Sequence, residues 1–282
     1  MQIHWPLVVS TACQRVGLGL FICAFVGAWL ADFPVPLAHV ALITLGFLAV
    51  GGIASIFHLQ RPARFFNAFS NLKSHLTQEA LITPFLGIGL LVCGFDGLLY
   101  SLGDAAGAVG LVTALLAAAF LVCTGLAYQM GSRPAWNTPF VLVLFLLTAL
   151  GAGTLGVAAL WALCGSAVPP IALGMALSAV ILCVACQGAY VRRMRSVGYG
   201  VDVNALEAPY RDTFMTWVIT GAVVPLVALG LFWALPAMGA LWAFVAWASF
   251  ACGIGAWTVL FFKGAHKVKM FPMYPVDLNL DM

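Results

Sequence analysis

PFVLVLFLLTALGAGTLGVAALWAL, residues 139–163, is an unbroken apolar run that opens on Pro139 and stops before Gly165. It holds no charged side chain. A bilayer-spanning helix needs about 20 mostly apolar residues, so this run is long enough to cross a membrane. Seven more runs of the same kind flank it, at about 6–30, 37–58, 80–100, 107–130, 170–191, 213–235 and 237–262. Over the whole chain of 282 residues, 63% are hydrophobic and 7% are charged, against roughly 25% charged in soluble domains. The mean hydropathy of +1.07 excludes a soluble globular protein of this length. The expected fold is all-α: a polytopic membrane protein whose eight transmembrane helices form a bundle, as one integral membrane domain over residues 1–282.

Turn-forming residues mark the breaks between runs. Asp32, Pro34 and Pro36 separate the first two, Ser132-Arg133-Pro134 ends the fourth, and Pro236 precedes the eighth. The first run lacks a basic leader and is too long for a signal-peptide core, so it reads as a retained span. Gly17 and Gly19, like Gly151 and Gly153, would let helices approach closely. Trp5, Trp29, Trp136, Trp161, Trp217 and Trp233 fall near span ends, where an aromatic belt is expected. With eight spans, both termini and the loops after even spans share one face. All twelve Lys and Arg belong to that face or its adjoining helix ends, while the other shows Asp32, Asp96 and Asp104. The positive-inside rule then puts the basic face in the cytoplasm. No nucleic-acid partner is expected of such a protein; its partners are the bilayer and whatever docks on the basic loops.

Polar chemistry concentrates in one stretch, FHLQRPARFFNAFSNLKSHLTQE, from Phe57 to Glu79, which holds two of the five histidines. His58 ends the second run, and Arg61 and Arg64 follow it at three-residue spacing. An imidazole near neutrality can hydrogen-bond a quinone carbonyl or accept a proton from a quinol. Glu79 opens the third run on the same membrane face, where a carboxylate could pass protons to water. For His58 the plain alternative is an interfacial histidine bonded to backbone. Arg15 lies ~13 Å into the first span at 1.5 Å per residue. It reads either as a functional intramembrane cation or as a side chain that snorkels to the interface. Asp96 reads as an interfacial carboxylate rather than part of a proton route.

Haem is not expected, because His39 and His58 occupy opposite ends of one helix and the remaining histidines are terminal or in loops. Nor is a metal site. Cys183 and Cys186 form the sole CxxC, in apolar surroundings and without a second pair.

The protein resembles the membrane-anchor subunits of dimethyl sulfoxide reductase-type molybdoenzymes. The likeness starts at His4-Trp5-Pro6-Leu7 and Gln14. It is densest at Ser55-Ile56-Phe57-His58-Leu59, Pro62, Arg64, Phe66-Asn67 and Glu79, and it returns at Tyr128 and Pro134-Ala135-Trp136-Asn137-Thr138-Pro139. It implies an anchor of the bacterial cytoplasmic (inner) membrane, without haem or iron–sulfur cluster of its own, that serves anaerobic respiration. Such an anchor oxidises quinol, usually menaquinol from the quinone pool. It passes electrons to a four-cluster, ferredoxin-like iron–sulfur subunit that feeds a molybdopterin catalytic subunit. The resemblance ties His58 and Glu79 to quinol oxidation, with Arg61, Arg64 or Arg15 stabilising charge on the quinol oxygens.

Two departures stand beside the likeness. Anchors of this family commonly carry a Glu and an Arg in the last span, where this sequence reads SFACGIGAWTVLFF over 249–262; Arg15 could replace one of them. Exported relatives also dock their partners in the periplasm, whereas the charge pattern here points to the cytoplasm. The alternatives are therefore a cytoplasm-facing relative that reduces quinone, as the sulfite-oxidising type does, or a purely structural anchor. A secondary transporter would show midplane charge and paired halves, neither of which the sequence offers.

Overall fold

The computed structural model describes residues 5–57, 71–131, 133–197 and 210–263. Among these described residues nine α-helices follow one another: α1 Trp5–Leu30, α2 Leu37–Phe57, α3 His75–Gly94, α4 Ala106–Ala127, α5 Pro139–Leu163, α6 Pro170–Val197, α7 Arg211–Val218, α8 Val224–Ala234 and α9 Gly239–Lys263. A π-helical turn, Ile219–Val223, joins α7 to α8 in a single span. Eight helices among the described residues are thus long and apolar enough to cross a membrane, and no strand occurs among them. The protein is an all-α, polytopic membrane protein.

Pro139 occupies the first turn of α5, where its missing N–H is no loss, and Gly165 ends the helix region at φ +71°. The helix between them is the centre of the bundle. In α5 and α1, 67% and 61% of the most apolar stretch is buried, against 22% in α2 and α3. These two helices cross at backbone contact. A Cβ on Gly19 would overlap the Ala149 carbonyl, and one on Gly153 would overlap the Gly19 carbonyl, so glycine is required at the crossing. The π turn serves the same end, laying Gly221 against Gly253 of α9.

Three apolar clusters surround this spine. The first joins α1 to α2, α3 and α4 through Leu18, Phe21, Leu86, Leu90, Phe120 and Leu121. A second is rich in aromatic rings, among them Phe145, Trp136, Trp217, Trp257 and Phe261. The third fills the space between α5, α6, α8 and α9. A helix hydrophobic nearly all round is what a span buried by lipid on one side and protein on the other should be.

Helix α3 begins at His75, five residues before the apolar run 80–100, and stops at Gly94. The stop is local chemistry. Gly97 adopts φ +79°, the Asp96 carboxylate accepts the Leu102 N–H at 2.9 Å, and the Tyr100 hydroxyl donates to the Val92 carbonyl at 2.6 Å. Asp96 is therefore a turn-capping carboxylate. Glu79 moves correspondingly from the helix threshold to its second turn.

Candidate functional site

His58, Arg61 and Arg64 lie outside the described residues. Glu79 and Arg15 lie within them. Glu79 is partly buried on α3 and meets the Thr124 hydroxyl of α4. Thr124 itself donates to the Phe120 carbonyl at 3.0 Å. One turn further along stands Tyr128, the C-cap of α4. Its ring is enclosed by Trp136, Phe145, Phe261 and Phe262, with centroids 5.4–5.7 Å away. Burial holds the Tyr128 phenol well above its ordinary pKa. The Glu79 carboxylate adds to that rise, and the Arg15 cation opposes it.

Arg15 does not snorkel. It is 2% exposed, and its Nε–H donates to the Thr11 carbonyl at 2.9 Å. Its terminal nitrogens donate to Thr148 Oγ1 of α5 at 3.4 Å and to Thr258 Oγ1 of α9. The guanidinium also lies over the Phe145 ring, 4.7 Å from its centroid. Beside it is a cavity of about 10 Å³, lined by Phe145, Trp257, Thr258 and Phe261 among others. That is room for about one water, so a quinone ring would enter only if a side chain moved.

Two glutamines gain meaning from the fold. Gln78, next to Glu79, approaches His75 Nδ1 at 3.0 Å and donates to the Leu72 carbonyl at 3.4 Å, tying the start of α3 to the segment before it. Gln14 presents a buried Oε1 without a hydrogen-bond partner among the described residues, its amide nitrogen reaching Ser10 Oγ at 3.5 Å. It lies one turn before Leu18 on α1, just as Glu79 lies before Ile82 and Leu86 on α3, and both stripes run into the first core cluster. Glu79 and the Thr124 hydroxyl thus bring a carboxyl group and a hydroxyl together between α3 and α4. Such a set can receive hydroxyl donors and hold a proton in apolar surroundings.

The model of the DMSO reductase anchor subunit (DmsC) family matches residues 1–246. The chain belongs to that family. Among characterised proteins it is similar to the C subunit of the anaerobic dimethyl sulfoxide reductase of Haemophilus influenzae. The two are 32% identical over 126 residues, which is 43% of this sequence and 44% of that one. It is also similar to the anaerobic dimethyl sulfoxide reductase subunit YnfH of Escherichia coli, 28% identical over 226 residues, 76% of this sequence and 78% of that one. The alignment to the Haemophilus protein thus spans less than half of that relative's length.

In this DMSO reductase anchor family member, the family match stops just before Ser249–Phe262, the stretch that lacks the expected Glu and Arg. Thr258, within that stretch, is one of the three residues that receive Arg15. The intramembrane cation of the anchor therefore comes from α1 and reaches the last span.

Three of the six belt tryptophans are packing residues instead. Trp5, Trp29 and Trp233 are exposed, whereas Trp136, Trp161 and Trp217 are buried. The Trp136 indole N–H donates to the Phe261 carbonyl at 3.1 Å, and that of Trp217 to Gln187 Oε1 at 3.1 Å. These two tryptophans can turn inward because such partners satisfy the indole. Arg133 then caps the Trp136 ring at 4.2 Å. Cys183 lies in the third core cluster and Cys186 packs against the second. Among the described residues, no three His, Cys, Asp or Glu side chains come together as a metal site.

Proposed function

We propose that this anchor, in the bacterial cytoplasmic membrane, binds a lipid-soluble quinol at its basic face and oxidises it. The observation that carries the reading is Glu79, partly buried on α3 and met by the Thr124 hydroxyl of α4, at the membrane face where α2 ends and α3 begins. Oxidation breaks both quinol O–H bonds, releasing two protons and two electrons. His58 accepts the first proton and Glu79 the second, each returning it to water at the basic face. Arg61 and Arg64 stabilise the negative charge that develops on the quinol oxygens. Arg15 is a further cation able to support that charge from the interior of the bundle.

Electrons leave for the cluster of a docked iron–sulfur subunit and continue to a molybdopterin subunit, because the candidate residues of this anchor carry protons rather than electrons. The quinol is a substrate here. The relatives named as parts of dimethyl sulfoxide reductases support such a partnership. A quinol-analogue inhibitor that fluoresces should be quenched on binding the assembled complex, and Glu79→Gln should weaken that binding. Equal binding by wild type and variant would remove Glu79 from the site, and no binding by either would leave the anchor a structural part.

A second arrangement is favoured by one observation, the concentration of eleven of the twelve basic residues, all but the buried Arg15, on a single face. In it the docking face is cytoplasmic, and the complex can run toward quinone reduction. A reporter fused at residue 282, active in only one compartment, separates the two arrangements.

A further inference from the structure

Away from Glu79, on the other side of α1, a groove of about 620 Å³ runs between α1, α7 and α9. Its volume falls within the range of small-molecule sites. The floor is apolar and shallow-walled: Val8, Val9 and Ala12 from α1 face Gly255, Ala256 and Val259 from α9. Gly255 helps to open it, since a Cβ there would meet nothing within 4 Å. The mouth is of a different character. It lies at the basic face, where α1 begins, α7 begins and α9 ends, and it carries both Asp212 and Lys263.

Those two opposite charges line one opening, yet no ion pair joins them among the described residues, and Lys263 rests 4.9 Å from the centre of the Tyr210 ring. Thr216, also at the mouth, donates its hydroxyl to the Asp212 carbonyl at 2.7 Å, so its oxygen can still accept. A carboxylate, a hydroxyl acceptor and an ammonium held apart above an apolar trough match a ligand with both charges on its head and a hydrocarbon tail below. A purely anionic head would meet Asp212 repulsively, and an uncharged ring would leave both charges unanswered.

We propose that this groove binds a zwitterionic phospholipid with a phosphoethanolamine head, its phosphate at Lys263, its ammonium at Asp212 and one acyl tail along the floor. Basic pockets between spans recognise lipid phosphates in this manner. The carboxylate adds selectivity between head groups. The site is independent of the quinol reading, since it shares no residue with it.

The test is lipid retention by the intact, delipidated complex after adding back deuterated phosphatidylethanolamine, phosphatidylglycerol or a short-tailed quinone, read by native mass spectrometry. Phosphatidylethanolamine should be retained over the other two. Lys263→Gln should lower its retention about two- to fivefold, the range of one exposed ion pair. Asp212→Asn should invert the preference toward phosphatidylglycerol. Gly255→Leu, which fills the floor, should remove binding of both lipids. Should that variant fail to assemble, the two charge variants at the exposed mouth decide the matter. Preferential retention of phosphatidylglycerol or quinone by the wild type, or head-group preference unchanged by Asp212→Asn, overturns the proposal.

Discussion

Replacing Thr258 by Val removes one of the three acceptors that hold Arg15 inside the bundle. The guanidinium is 2% exposed and donates to the Thr11 carbonyl, to Thr148 Oγ1 and to Thr258 Oγ1. Each hydroxyl is itself satisfied as a donor. Thr148 reaches the Leu144 carbonyl at 2.7 Å and Thr258 the Ile254 carbonyl at 2.6 Å. The threonines therefore do not need the arginine, but the arginine needs them. A hydrogen bond to a charged group is worth about 1.5–3 kcal/mol, and Thr258→Val should destabilise the folded anchor by that amount. Arg15→Met removes the buried cation together with its demand for acceptors, so it should be milder than Thr258→Val. On the Arg15→Met background the threonine change should fall to within about 0.5 kcal/mol of neutral. The assay is a double-mutant cycle, with unfolding of the anchor in detergent micelles followed by tryptophan fluorescence. Strictly additive costs would refute the account of Arg15 as a cation held by two threonines.

Other expectations follow from the same geometry. Gly19→Ala should lower stability by about 1–3 kcal/mol, because its methyl overlaps the α5 backbone. Gly255→Ala, with open space around it, is the neutral comparison in the same unfolding assay. Gln14→Leu removes a buried acceptor with no partner among the described residues and should stabilise the quinol-free anchor by about 1 kcal/mol or more. If that acceptor receives a quinol hydroxyl, the same variant should raise the KM for quinol; an unchanged KM would make Gln14 a packing residue.

Much of the fold could be read from the amino-acid order. Runs such as 139–163 are bounded by proline and glycine, and nothing else in the sequence competes with their apolar length, so existence and number of spans follow from composition. Helix ends depended on subtler chemistry. The third helix lies toward the N-terminus of its apolar run because Asp96, Gly97 and Tyr100 close a turn inside it. That shift carries Glu79 into the helix and up against Thr124, a contact between residues 45 apart that no local pattern announces. Arg15 stood out at once as a charge in a span, but its partners are single threonines on α5 and α9, ordinary residues in any apolar run. The buried tryptophans misled for a related reason. Trp136 and Trp217 fall at span ends by count, and only tertiary partners for their indole N–H turn them inward.

The central claim is that Glu79 and His58 handle the protons of a quinol. The most direct test compares two electron donors to the whole complex: a quinol, which on this account enters through the anchor, and a reduced water-soluble dye that bypasses it. For Glu79→Gln and for His58→Arg, dye-linked turnover should match the wild type. Quinol-linked turnover should fall by about 10²–10⁴, the usual contribution of a positioned proton acceptor. Quinol-linked turnover at the wild-type rate in both variants would contradict the account.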